Sequence, residues 1–270
     1  MFFSASNCVI PHRARLWSLL GILCLSLFIT GCSKDVRDLQ SGAEELFKLG
    51  NKSMKSGNYQ NAITYFETLE ARYPFSNQAK QAQLNLIYTY YKNQDPEAVV
   101  DAATQFEREN PIHPRVDYAL YMRGLAYFPP EHKGYHRLLR IDLAKRPPVE
   151  VRESFSVFAR LVQRYPESIY TEDAKQRMVF LRNRLAKHET LVADYYFRRG
   201  AYVAALNRAK FTTVNYEGAP AVADAMYIMV ASYEKLGMQD LAAETRGVLN
   251  QNYPKTKKPQ TVKKKRFYFF

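Results

Sequence analysis

The most reactive arrangement in the chain is LFITGCSKD, Leu27–Asp35, where an apolar run stops at Gly31-Cys32 and the sequence turns polar at once. Ile29-Thr30-Gly31-Cys32 has the form of a bacterial lipobox: apolar, small, small, cysteine. Small residues fit a signal-peptidase cleft, and the thiol is the nucleophile that takes a diacylglycerol. Cleavage then leaves Cys32 as a lipidated first residue. Two histidine patterns offer other chemistry. HETLV, His188–Val192, opens like the zinc-protease helix H-E-x-x-H, in which two histidines one turn apart hold the metal beside a glutamate base. Val192 stands where the second histidine is required. His132 and His136 have a metal-ligand spacing if helical, but Gly134 lies between them and Glu131 is the one acid beside them. There is no G-x-S-x-G, no glycine-rich phosphate loop and no C-x-x-C. The expectation is a protein with no catalytic residue, no metal and no cofactor, apart from covalent lipid on Cys32.

The elements before Cys32 fit that chemistry. Arg13 and Arg15 supply a positive n-region, and Leu16 to Ile29 is almost wholly apolar. That run is about 14 residues, whereas a bilayer-spanning helix needs roughly 20. It reads as an export signal. Residues 1–31 are the signal, and 32–40 a lipidated linker. Ser33 after the cysteine suggests an outer-membrane address on the periplasmic face. Cys8 and Cys24 fall within the signal, so no disulfide is available and stability must come from a core.

The net charge of +13 is uneven. The segment 255–270, ending KKKRFYFF, carries seven basic residues and no acid, while 32–254 has 30 basic against 26 acidic residues. The body is therefore no nucleic-acid surface. The tail is expected to be solvated and disordered, with contact to anionic lipid, an acidic partner or the chain's own groove as the alternatives.

An internal repeat sets the architecture. FETLEARYP (Phe66–Pro74) and FARLVQRYP (Phe158–Pro166) share F-x-x-L-x-x-R-Y-P, and LNQNYP (Leu249–Pro254) repeats its second half. Leu46, Leu49, Gly50, Gly57, Tyr59, Ala62, Phe66, Leu69 and Pro74 follow the helix–turn–helix layout of the tetratricopeptide repeat (TPR). Gly50 and Ala62 let paired helices approach, and Phe66 fills the space between them. The fold expected is all-α: a TPR solenoid of five helix pairs over 41–254, with an inserted loop, 129–148, in the third repeat. The helices fall at about 41–56, 58–73, 77–93, 95–109, 115–127, 149–165, 171–199, 201–216, 220–236 and 238–252. An apolar stripe through Ala174, Met178, Leu181, Leu185, Val192 and Tyr195 makes the seventh helix continuous and joins two halves. Stacked pairs bury one core and present a groove. In the first helix its groove-facing positions are Glu44, Phe47, Asn51, Met54 and Lys55.

GNYQNAITYFETLEARYPFS, HPRVDYALYMRGLAYF, RLVQRYPESIYTEDAKQRMVFLRNRLAKHE and YYFRRGAYVAALNRAK resemble the BamD (ComL-type) family. These are the lipoprotein subunits of the outer-membrane β-barrel assembly machine, and the resemblance spans roughly 32–254. It implies that the N-terminal repeats receive unfolded outer-membrane proteins. It also implies that the C-terminal repeats dock on the POTRA region of BamA, with other lipoproteins of the complex along the array. Carried onto A-x-N-R here, it makes Arg208 the BamA contact through a charge-assisted pair with a carboxylate, supported by Asn207. A TPR lipoprotein scaffold for pilus assembly or peptidoglycan association is the rival reading.

Overall fold

The computed structural model describes residues 42–129 and 147–254. Cys32, the inserted segment with His132 and His136, and the tail 255–270 lie outside the described residues. Within them the chain forms ten α-helices and no strand. They are α1 (Ala43–Lys55), α2 (Tyr59–Arg72), α3 (Asn77–Lys92), α4 (Pro96–Glu109), α5 (Val116–Tyr127), α6 (Val149–Arg164), α7 (Thr171–Arg198), α8 (Tyr202–Asn215), α9 (Ala221–Lys235) and α10 (Gln239–Asn252). Every boundary falls within two residues of the sequence expectation, because turn chemistry sets most of them. Asn58, Ser76 and Asp95 cap α2, α3 and α4 by accepting from the backbone N–H three residues on. Such caps satisfy donors that a helix leaves orphaned at its start.

Consecutive helices pack as antiparallel pairs, and first helices also touch first helices, α1 with α3 and α3 with α5. The register within a pair comes from a small residue facing a large one. A Cβ placed on Gly50 would lie 2.5 Å from the Phe66 ring, and one on Gly124 would lie 2.5 Å from the Phe158 ring. Both rings are fully buried. The second repeat, 37 residues on, inverts the sizes: Ile87 replaces the glycine and Ala103 the phenylalanine, and both are buried. In the fourth repeat the pair is Ala193 and Ala209, again both buried. Summed volume is roughly level between the first two repeats, as close packing demands, and falls in the fourth, where both residues are alanine.

The turn between the helices of a pair uses a left-handed residue: Gly57 (φ +79°), Gly200 and Gly237, but Gln94 (φ 61°) in the second repeat. A buried charge network joins the second and third repeats. Arg123 on α5 lies 3.2 Å from the Glu107 carboxylate of α4 and donates to the Thr104 hydroxyl at 3.0 Å. Arg164 of α6 reaches the same carboxylate at 3.3 Å.

The 28-residue helix α7 does join the two halves, packing on α6 first and on α8 and α9 further along. Its stripe needs correction. Tyr195 is exposed and Val192 half-buried, while Ala186, Glu189, Thr190, Ala193 and Asp194 are buried. The helix changes partners midway, so its buried face rotates to meet α8 and α9. Polar residues enter that face because they are held by specific bonds: the Thr190 hydroxyl donates to the Ala186 carbonyl, and Arg198 donates to Asp194.

Two substitutions test this packing by chemical denaturation. Gly124→Ala forces a methyl against the buried Phe158 ring and should cost about 1–3 kcal/mol, the usual range for overpacking. Gln94→Gly removes a left-handed side-chain conflict and should stabilise by up to about 1 kcal/mol. A neutral Gly124→Ala would contradict the interlock.

Candidate functional site

Two regions hold the residues singled out by sequence. The first is the face built by the first helices of successive pairs, α1, α3, α5 and α7. On α1, Glu44 and Lys55 are exposed, while Phe47, Asn51 and Met54 are half-buried. Phe47 and Met54 lean on the core of the first repeat, with the Phe47 and Phe66 ring centroids 6.2 Å apart. Asn51 donates to the Phe47 carbonyl and accepts from the Asn85 side-chain amide of α3 at 2.9 Å. This amide pair ties α1 to α3 on that face.

The structure extends the face in a direction the first helix alone did not show. Tyr88 and Tyr91 on α3 are partly exposed. Next to them Tyr121 of α5 stacks on Tyr170 at 4.6 Å, and Tyr118 lies 5.9 Å from Tyr170. Phe128 sits 5.5 Å from Phe180 on α7, under the Arg177 guanidinium. These rings lie on or beside the first helices; Tyr118, Tyr121, Phe128 and Tyr170 pack against the core from outside and are only partly buried. That excess of aromatics was visible in sequence, but which ones stayed out of the core was not.

Electrostatics fix part of this strip. The Tyr121 hydroxyl donates to Asp173 at 2.7 Å. Burial works against the Asp173 charge, but hydrogen bonds from Arg177 and Tyr121 outweigh it and hold this carboxyl below its usual range. Burial, then the bond to Asp173, push the Tyr121 phenol up to about 12.

The second region surrounds Arg208 on α8. Its guanidinium is half-exposed and donates to Glu189 Oε2 at 3.1 Å. Glu189, on α7, is buried and also faces Arg152 of α6 at 3.5 Å. One buried carboxylate thus bridges three helices through two arginines. Sequence reasoning missed Glu189, because HETLV drew attention as a metal pattern. With both oxygens engaged by arginines, Glu189 is no free base, and among the described residues no group of His, Cys, Asp and Glu could hold a metal. Asn207 is exposed and lines a hollow of about 510 Å³ with Ala201, Tyr202, Val203 and Leu236. It stands beside Arg208 in sequence, but lines a separate feature.

A hollow of about 410 Å³ lies between α2, α3 and α4, lined by Glu67, Glu70, Asp101, Gln83, Gln105 and Tyr90. Gln83 and Gln105 donate to Glu70, and Tyr90 donates to Glu67. These are bonds between helices, and they account for the polarity there. No helix of the described residues is long and apolar enough to cross a membrane.

The fold is a TPR array with a strip of partly exposed rings along its first helices. The family model described as outer membrane lipoprotein (YfiO) matches residues 40–249, and the chain belongs to that family. A relative from Neisseria meningitidis serogroup A is 39% identical over 239 residues, covering 86% of this chain and 90% of the relative. One from Vibrio cholerae is 38% identical over 238 residues, covering 87% and 98%. Both relatives are outer membrane protein assembly factors BamD. A solved Podosopora anserina kinesin light chain with TPR-like repeats covers 77% of this chain and 92% of its own at TM-score 0.34 and 14% identity, too loose a likeness to carry an argument.

The Tyr121 bond predicts a pH effect. Between the ordinary phenol value near 10 and about 12 the folded chain keeps a proton that the unfolded chain releases. Stability therefore falls as pH rises through that window. Tyr121→Phe should make the loss in melting temperature from pH 9 to 12 shallower; an unchanged slope would contradict the assignment. Separately, Glu189→Gln should cost about 1.5–3 kcal/mol in urea denaturation, the scale of a hydrogen bond to a charged group.

Proposed function

We propose that this chain is a non-enzymatic lipoprotein subunit of the outer-membrane β-barrel assembly complex. Acyl chains on Cys32 anchor it to the periplasmic face of the outer membrane. More than one chain makes such anchoring stable, where a single one is marginal. The face formed by α1, α3, α5 and α7 receives extended segments of unfolded outer-membrane proteins, and the C-terminal repeats dock on the POTRA region of BamA, with other lipoproteins of the complex along the array.

The observation that carries this reading is the strip of half-exposed rings, Tyr88, Tyr118, Tyr121 and Phe180, in a family whose relatives are assembly factors. Aromatic anchors with a polar rim suit recognition of an extended chain. On α1, Phe47 and Met54 supply apolar contact, Asn51 a backbone-like amide, and Glu44 and Lys55 the rim.

Arg208 gives the docking residue a more specific form than sequence allowed. One nitrogen is already held by Glu189, and half of the side chain remains exposed for a second carboxylate. Because Arg152 also faces Glu189, Arg208 can turn toward a partner without leaving the buried carboxylate alone. Charge-assisted pairs of this kind are among the stronger polar contacts.

The experiment is gentle solubilisation of membranes containing the tagged chain, followed by identification of what co-purifies. Recovery of BamA, reduced tenfold or more by Arg208→Glu, is expected. Recovery that ignores Arg208 would overturn the docking residue alone. A secretin or glycan in place of BamA would support the pilus or peptidoglycan reading instead.

A further inference from the structure

Three large apolar side chains stand almost entirely in solvent: Phe75 is 100% exposed, Ile112 97% and Ile169 82%. Isolated exposed apolar residues need no explanation, but these occupy related places. Phe75 lies in the turn from α2 to α3, Ile112 in the turn from α4 to α5, and Ile169 in the turn from α6 to α7. Phe75 and Ile112 are 37 residues apart, the repeat length of this part of the chain. In an array of antiparallel pairs, each second helix returns to the edge where its first helix began. The three turns therefore share one edge, and the turns inside pairs, at Ser56 and Asn93, lie on the other.

Bonds between neighbouring turns place them side by side. Asn110 donates to the side-chain carbonyl of Gln83, two turns into α3, at 3.3 Å. Arg115 donates to the Tyr170 hydroxyl at 3.2 Å, and the Ser168 hydroxyl donates to Asp117 at 2.6 Å. The Phe75, Ile112 and Ile169 side chains project from these turns. The N-terminus of α1 opens on the same edge. From Cys32 to Gly42 the chain can reach no further than about 35 Å at full extension.

We infer that this edge rests on the lipid surface, with Phe75, Ile112 and Ile169 dipping into the interface of the bilayer that holds the anchor. The inference rests on the lipid-anchor reading above. The tether leaves from this edge, and three projecting side chains turn the anchor from a flexible leash into a fixed orientation. Basic residues (Arg72, Lys80, Arg115) and acidic ones (Glu109, Glu167, Glu172) intermingle around the tips. The contact is therefore apolar in character and only weakly dependent on salt. Orientation follows: with this edge at the membrane, α1 to α7 stand away from it, and the ring-lined face looks sideways along the surface.

The test uses the full acylated chain reconstituted in phosphatidylethanolamine–phosphatidylglycerol vesicles. Once Cys32 is acylated the mature chain has no free thiol, so Phe75→Cys, Ile112→Cys, Ile169→Cys, Ser56→Cys and Asn93→Cys can each carry one environment-sensitive fluorophore. The vesicles are first floated, then a lipid-borne nitroxide quenches whatever lies in the interface. The expected result is flotation, with blue-shifted emission and several-fold stronger quenching at 75, 112 and 169 than at 56 and 93. Flotation with all five labels equally wet would overturn the edge contact and keep the anchor. Failure to float would overturn the anchor reading and the edge contact with it. Shielding at 75, 112 and 169 seen in native membranes but not in pure vesicles would overturn lipid as the occupant and assign the edge to a protein.

Discussion

The structure depends on how closely two helices can approach. At Gly50 and Gly124 there is no room for even one methyl, because the Phe66 and Phe158 rings already occupy it. That single contact sets the spacing and register of a pair. Stacking of pairs then sets which side chains of the first helices face each other across the array. The second repeat shows that the constraint is on volume and not on identity, since Ile87 and Ala103 exchange the roles of small and large. A solenoid with nearest-neighbour packing tolerates such local exchange because each interface closes by itself.

The same rigidity makes the two proposed binding regions possible. Side chains such as Tyr88, Tyr121 and Phe180 stay partly exposed because the core is already filled by Phe66, Phe106 and Phe158. Farther along, the array changes character. The fourth repeat has alanines at both packing positions, and a buried carboxylate, Glu189, takes over part of the bridging through Arg152 and Arg208. A charge removed from water requires such partners. The docking candidate Arg208 is therefore also a fold residue, which couples partner binding to the junction of α6, α7 and α8.

Much of this was legible in the sequence, and for physical reasons. The helices followed from the F-x-x-L-x-x-R-Y-P repeat and from turn residues such as Gly57, Gly200 and Pro74. The Gly50–Phe66 interlock was readable because repeat position implies contact. The buried face of α7 beyond Leu185 was not, since a helix that changes partners has no single stripe. Glu189 was not either: its role depends on Arg152 and Arg208, which lie 37 and 19 residues away in sequence, and no local pattern joins them. On the candidate binding face the first-helix residues were named from repeat position. The larger strip, from Tyr88 to Phe180, appeared only once the core had claimed its own aromatics.

The central claim is that the face of α1, α3, α5 and α7 receives unfolded outer-membrane protein. Photo-crosslinking in living cells tests it directly. A photoreactive residue is placed at Tyr88 or Tyr91 on that face, and at Thr64 or Gln60 on exposed positions of α2 as the control. Short-lived adducts with newly exported outer-membrane proteins are expected at 88 and 91, and none at 60 and 64. Adducts of equal yield at all four positions, or only at 60 and 64, would contradict it.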